Sequence, residues 1–186
     1  MVLYNKIRYS NPQAFAQKVA DISSQLGIDP DWLMLVMYFE SGLNPKAVNR
    51  TSGATGLIQF MPSTARNMGT STESLANMDA LEQLDYVYKY LSPYKNKMSS
   101  LVDVYLSVFY PSAVGKEDGY VLGGAGTDLS KKIASQNKIF DTNRDGQITK
   151  REVSVYFETW ASRTLGKQLT ANRGTSIFPF MLGFFF

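Results

Sequence analysis

Among the side chains able to do chemistry, Glu40 has the most unusual surroundings. It ends a run of eight apolar or aromatic residues, Trp32 to Phe39, and is followed at once by Ser41 and Gly42. If the run is helical, the carboxyl sits at the negative end of a helix dipole and against apolar surface, and both disfavour its charged form. A carboxylic acid kept neutral near physiological pH is a proton donor. The plain alternative is a glutamate whose head reaches solvent at a helix end. The composition narrows the chemistry further, because the chain has no cysteine and no histidine. Thiol nucleophiles, disulfides, Ser-His-Asp triads and His-ligated zinc are therefore excluded. What remains are carboxylates, hydroxyls, amines, amides and oxygen-bound metals, and carboxylic acids point first to glycosidic bonds.

A second constellation runs from Asp141 to Glu152, DTNRDGQITKRE. It resembles the EF-hand loop, with side-chain oxygens at positions 1, 3 and 5, glycine at 6, an apolar residue at 8 and glutamate at 12. That resemblance implies Ca²⁺ held by Asp141, Asn143, Asp145, the Gln147 carbonyl and Glu152, with Thr149 acting through water. One loop of this type, rather than a pair, favours a structural ion over a calcium switch. The plain alternative is a polar turn between helices.

Several elements must position these groups. Asn11-Pro12 is a helix start, and Phe15, Val19, Ile22 and Leu26 make one stripe before Gly27. Asp29-Pro30 starts the next helix, which is apolar on every face and therefore belongs in the core. From Ser41 to Thr72 glycines, prolines and hydroxyl residues predict loop, with a short helix from Pro62 to Met68. Helical spacing resumes over Asp79 to Leu91, with Leu81, Leu84, Tyr88 and Leu91 on one face, and over Ser100 to Phe109. No segment of the first 110 residues alternates as a strand would. The glycine-rich Gly115 to Asp128 marks a boundary, and beyond it Ser130 to Phe140 and Val153 to Leu165 flank the calcium-type loop.

The residues around Glu40 carry a family resemblance. Glu40-Ser41-Gly42-Leu43-Asn44-Pro45-Lys46-Ala47, followed by Ser52-Gly53-Ala54-Thr55-Gly56-Leu57-Ile58-Gln59-Phe60-Met61-Pro62, is similar to the signature of SLT-type, goose-lysozyme-like lytic transglycosylases. In that signature ES is followed by NP and A, then by G-x-x-GLMQ and MP. The likeness spans about residues 12 to 114 and is dense from Glu40 to Ala65. It implies a lysozyme-like helical fold and cleavage of the β-1,4 bond between N-acetylmuramic acid and N-acetylglucosamine. It also implies that one glutamate protonates the leaving oxygen and then accepts the muramyl C6 hydroxyl proton, closing a 1,6-anhydro ring. Ser41 would hold Glu40, Gln59 would meet sugar hydroxyls or acetamido groups, and Gly53 and Gly56 would let the polymer approach backbone amides.

Two features bear on that reading. After Glu40 the next acid is Glu73, so the loop bordering the site has no second carboxylate of the kind that water-using glycosidases need. Asp79, Asp85 or Asp103 could still return to the site in the fold. The family's AYNAGPGAV-like segment is replaced here by Tyr105-Leu106-Ser107-Val108-Phe109-Tyr110-Pro111-Ser112-Ala113-Val114. With the prolines aligned, Ser107 and Val108 stand at the Tyr-Asn pair. Tyr105 or Tyr110 is expected to replace the family's tyrosine at the glutamate, unless both are core aromatics. This segment looks more like phage-encoded transglycosylases, which would agree with an N-terminus lacking a secretory signal.

The expected whole is mainly α: a lysozyme-like domain over 1–125, an EF-hand-like helical hairpin over 126–170 and an apolar tail over 171–186. The substrate is peptidoglycan glycan strands. The net charge of +3 carries no basic-aromatic interleaving for nucleic acid, and no apolar run is long enough to cross a membrane. The protein is expected to be made in a cytoplasm and to act on the bacterial wall, on a phage particle or after lysis. The tail ending IFPFMLGFFF reads as a strip packed on the body or as an end that touches a particle, another protein or a membrane. A hydrolytic lysozyme on the same fold, a non-catalytic wall-binding protein, and a protein centred on the calcium hairpin are the competing readings.

Overall fold

Helices account for nearly all the regular structure in a computed structural model of the chain, which describes residues 1–166. The described residues form eight α-helices, short 3₁₀ turns and isolated bridges, with no strand. The expected mainly α, lysozyme-like class is what is found. The apolar tail lies outside the described residues. Contacts divide the chain into two compact units, Met1–Glu117 and a second from Asp118 onward.

In the first unit α1 (Pro12–Leu26) begins where the Asn11 side chain accepts from the Ala14 amide and ends at Gly27, which is left-handed at φ 73°. Its buried stripe is Phe15, Val19, Ile22 and Leu26, with Ser23 beside it. α2 (Pro30–Ser41) buries Leu33, Met34, Leu35, Val36 and Met37. At about 2 kcal/mol for each such side chain, this one turn and a half carries on the order of 10 kcal/mol of gross hydrophobic stabilisation. Burial at five consecutive positions makes α2 the central helix, with α1 and α6 packed against it and α5 packed against α1.

The segment after α2 is a loop folded on itself by the bridges Val48–Thr55 and Thr55–Phe60. It leads into α3 (Pro62–Asn67) and α4 (Thr72–Asn77). The spacing predicts no helix for the latter; Ser71, whose hydroxyl accepts from the Ser74 amide, starts it. α5 (Ala80–Leu91) opens with a capping box between Asp79 and Glu82. Its buried stripe is Ala80, Leu84, Val87 and Leu91, joined by Gln83, while Leu81 and Tyr88 are half-buried. The core face is thus rotated from the one the leucines alone suggest, because a polar residue, Gln83, has work to do inside. α6 (Leu101–Phe109) starts at Ser100 and buries all but its last two residues.

The second unit contains α7 (Asp128–Gln136) and α8 (Lys150–Leu165), joined by the loop from Asn137 to Thr149. The expected helix to Phe140 stops at Gln136, where the Asn137 side chain donates to the Ile133 carbonyl and its backbone turns away. α8 begins three residues earlier than expected, because Thr149 and Glu152 form a capping box. The Leu122 amide donates to Ile148 and the Lys150 amide to Tyr120, so Val121 and Thr149 make an antiparallel bridge. Residues 118–125 therefore hydrogen-bond within this unit.

Candidate active site

Glu40 is the penultimate residue of α2, and Gly42 ends the helix in the left-handed region at φ 64°. The Gly42 amide donates to Met37 and Tyr38, closing the last turn beneath the carboxylate. Glu40 keeps a little solvent contact, but the surrounding protein raises its pKa from 4.5 to about 7, with burial the cause. Near neutrality it is therefore divided between acid and base forms.

The Ser41 hydroxyl donates to the Met37 carbonyl and the Leu57 carbonyl, both at 3.0 Å. It clips the helix end to the loop, which fixes the backbone beside Glu40. Leu43 and Gln59, neither of them glycine, are left-handed at φ 63° and 52°. Such residues cost energy and persist where the surroundings hold them. Leu43 is buried and its carbonyl accepts from the Tyr9 hydroxyl; Gln59 donates its amide to the Ala47 and Gly56 carbonyls at 3.2 and 3.1 Å. The Gln59 donors are thus spent on the loop, and its Oε1 accepts no hydrogen bond from the described residues.

The glycines play a different part from the one expected of them. The Gly53 amide donates to Asn49 and the Gly56 amide to Ala47, so neither faces a ligand. A Cβ on Gly56 would lie 2.4 Å from the Gln83 Oε1. Gln83 is wholly buried, accepts from the Leu57 amide at 3.0 Å, and donates to the carbonyls of Pro45 and Leu75 at 2.6 and 2.7 Å. Gly56 exists for close approach, but the atom that approaches is internal.

The three acids that the sequence leaves open are committed elsewhere. Asp79 caps α5. Asp85 pairs with Lys18 at 2.7 Å on the surface. Asp103 is buried and accepts from the Ser99 amide and hydroxyl, the Ser100 hydroxyl and the Gly115 amide. Burial is the cause of the Glu40 shift.

Of the two tyrosines expected near Glu40, Tyr105 is in the core, edge-on to Phe39 at 5.3 Å and stacked on Phe109 at 5.5 Å. Tyr110 is half-buried at the end of α6. Tyr90 of α5 is a phenol that interacts electrostatically with Glu40. Burial first, then Tyr94 and Glu40, push the Tyr90 pKa up to about 12. Its hydroxyl donates to the Ser107 carbonyl at 2.9 Å, and its ring meets Phe60 edge-on at 6.1 Å. Ser107, which stands at the family's tyrosine position, is buried and donates to Val104. Tyr90 is thus anchored to the α6 backbone. The signal was present in the sequence as Tyr90-Leu91, but helix spacing alone marks Tyr90 as one aromatic among several.

Residues 18–108 match the family described as the transglycosylase SLT domain. Over these residues the chain is similar to the SLT transglycosylases. The match contains Glu40, Ser41, Gln59, Tyr90 and Tyr105, and the family consists of lytic transglycosylases acting on peptidoglycan. The chain is accordingly an enzyme whose substrate is the bacterial wall. No helix among the described residues is long and apolar enough to cross a membrane.

In the second unit the loop from Asp141 to Glu152 has Arg144 and Gly146 left-handed at φ 61° and 79°. The Asp141 carboxylate accepts from the Asp145 and Gly146 amides, and Asn143 Oδ1 also accepts from the Asp145 amide. Asp145 accepts from the Gln147 amide. The Gln147 side chain points away and accepts from Gly126 at 2.7 Å, leaving its backbone carbonyl as the expected ligand. Glu152 accepts from the amides of Thr142, Asn143 and Thr149 and the hydroxyls of Thr142 and Thr149. Among the described residues no three acidic side chains converge as a ready metal cluster. The donor set is all oxygen and the backbone turns sharply at loop positions 4 and 6, which suits a hard cation in a flexible cage.

Proposed function

We propose that this enzyme is a lytic transglycosylase in which Glu40 acts as acid and then base, leaving 1,6-anhydromuramyl ends. The observation that carries the reading is a carboxyl with its pKa at about 7, while the other acids that the sequence leaves open are engaged elsewhere among the described residues. Protonated Glu40 gives its proton to the bridging oxygen as the C1–O bond breaks. The resulting carboxylate takes the proton of the muramyl C6 hydroxyl as O6 bonds to C1, which restores the acid. A hydrolytic route needs a second acid to attack or to activate water, and Asp79, Asp85 and Asp103 are each engaged in capping or pairing. Ser41 holds the helix end, Gln59 offers its Oε1 to sugar N–H or O–H groups, and Tyr90, whose hydroxyl proton goes to the Ser107 carbonyl, presents its phenol oxygen as an acceptor. Tyr110, half-buried, is the further candidate for substrate contact.

Purified peptidoglycan treated with the wild-type chain and with Glu40→Gln, followed by mass spectrometry of the soluble fragments, tests this. Anhydromuropeptides from the wild type alone are expected; reducing-end products would make it a hydrolytic lysozyme, and no product from either a wall-binding protein.

We further propose that Asp141, Asn143, Asp145, the Gln147 carbonyl and Glu152 hold a structural Ca²⁺, with Thr149 through water. The ion would neutralise the loop's carboxylates and tie α8 to the segment before it. Expected is a calcium-dependent rise in thermal stability, about 2.7 kcal/mol at a hundredfold excess over Kd, lost in Glu152→Gln. The likeness of the Tyr105–Val114 segment to phage enzymes supports action from a phage particle or at lysis.

A further inference from the structure

The second unit carries a concavity that the cleavage chemistry does not use and that shares only Asp141 with the proposed calcium ligands. A cavity of about 510 Å³ is lined by Lys131 and Ala134 of α7, Lys138 of the turn after it, and Asp141, Arg144 and Gly146 of the loop. Three cations thus reach one basin from three backbone segments, above a floor of small residues. All three are exposed. Between Asp128 and Asp141 the chain has lysines at 131, 132 and 138 and no acid. Lys131 has a loose surface contact with Asp128 at 3.8 Å, both side chains open to water, which is worth little. Among the described residues no carboxylate pairs with Lys138 or Arg144. Asp141, the one acid in the lining, has its oxygens turned to the Asp145 and Gly146 amides.

Like charges are gathered around a cavity at a cost in repulsion, and an anionic occupant removes that cost. Arg144 offers a planar fork to a carboxylate, and the lysines offer adaptable point charges. Resting on the reading that peptidoglycan is the substrate, we infer that this basin binds the free carboxylates of peptidoglycan stem peptides and so holds the wall through its peptides. The glycan strand is left to the first unit.

The test is co-sedimentation of the full chain, made inactive by Glu40→Gln, with insoluble peptidoglycan across a range of salt. Adding Lys131→Gln, Lys138→Gln and Arg144→Gln is expected to weaken binding at least tenfold and flatten its salt dependence. Charge-retaining Lys131→Arg, Lys138→Arg and Arg144→Lys should restore most of it. Stripping the stem peptides with an amidase should remove the difference between the neutralised and parent proteins, whereas stripping phosphodiester polymers with acid should not. Equal binding by the neutralised variant, or loss of the difference only when phosphodiesters are removed, would overturn the inference. With Glu40 intact, the neutralised variant is expected to cleave peptide-free glycan at the wild-type rate. Failure of the wild type to release anhydro ends would count against the transglycosylase reading and leave the binding comparison standing.

Discussion

Glu40 and Glu152 are the same side chain at opposite ends of a helix, and the protein treats them oppositely. Glu40 sits in the last turn of α2, where burial pushes its pKa up to about 7. Glu152 sits in the first turn of α8. Burial raises its pKa too, but hydrogen bonds from Thr149, Asn143 and Thr142 outweigh that and bring it below the usual carboxylate value. The helix dipole reinforces both trends. What separates a proton-transfer group from a fixed anion here is the supply of donors, since burial acts in the same direction on each.

The largest effect expected from breaking this contrast is on catalysis. Glu40→Gln should lower kcat by about 10³-fold, measured as anhydromuropeptide release, and kcat/KM of the wild type should fall as pH rises above about 7. The same substitution should stabilise the fold. A carboxyl whose folded pKa is raised binds extra protons in the native state between about 4.5 and 7, so stability declines as pH rises through that window. Above it the penalty is about 3 kcal/mol. Denaturation of Glu40→Gln and wild type should therefore differ at pH 8 and coincide near pH 4.

Gly56→Ala should cost about 3 to 5 kcal/mol by urea denaturation, because a left-handed alanine adds strain and its Cβ displaces the buried Gln83 amide. Tyr90→Phe keeps the ring and loses the hydroxyl; kcat should fall about tenfold with KM little changed. Tyr105→Phe, which keeps the ring contacts with Phe39 and Phe109, is the comparison and should lower kcat less than Tyr90→Phe does. If Tyr105→Phe proved the more damaging, the core tyrosine would replace Tyr90 as partner of Glu40. Without calcium, the smallest effect belongs to Glu152. Its lowered pKa contributes stability that is present above about pH 4.5 and is lost as pH falls through the folded value, so Glu152→Gln should flatten the acid side of the melting curve.

The sequence made α1, α2, α5 and α6 legible, because each starts at a recognisable cap or proline and carries a periodic or unbroken apolar run, and α3 by its leading Pro62 alone. It also made Glu40 legible, as a charge where the local pattern calls for none. What it could not convey was how polar atoms are paid off at long range. Gln83 looks like a surface amide between Glu82 and Leu84, yet it is the residue that fills the space left by Gly56. Tyr90 is distinguished only by folding, when α5 brings it to the carbonyl of Ser107 and within electrostatic reach of Glu40. The early end of α7 depends on one asparagine side chain competing for a helical carbonyl, which spacing does not register.

The Gln83 amide touches three separated stretches of chain at once, at Pro45, Leu57 and Leu75. A single side chain with three backbone partners makes their opening an all-or-none event, since freeing any one stretch exposes the unpaired needs of the other two. The loop beside Glu40, irregular as it is, should therefore exchange its Leu57 amide proton with the slowness of the helical core and melt with it rather than before it.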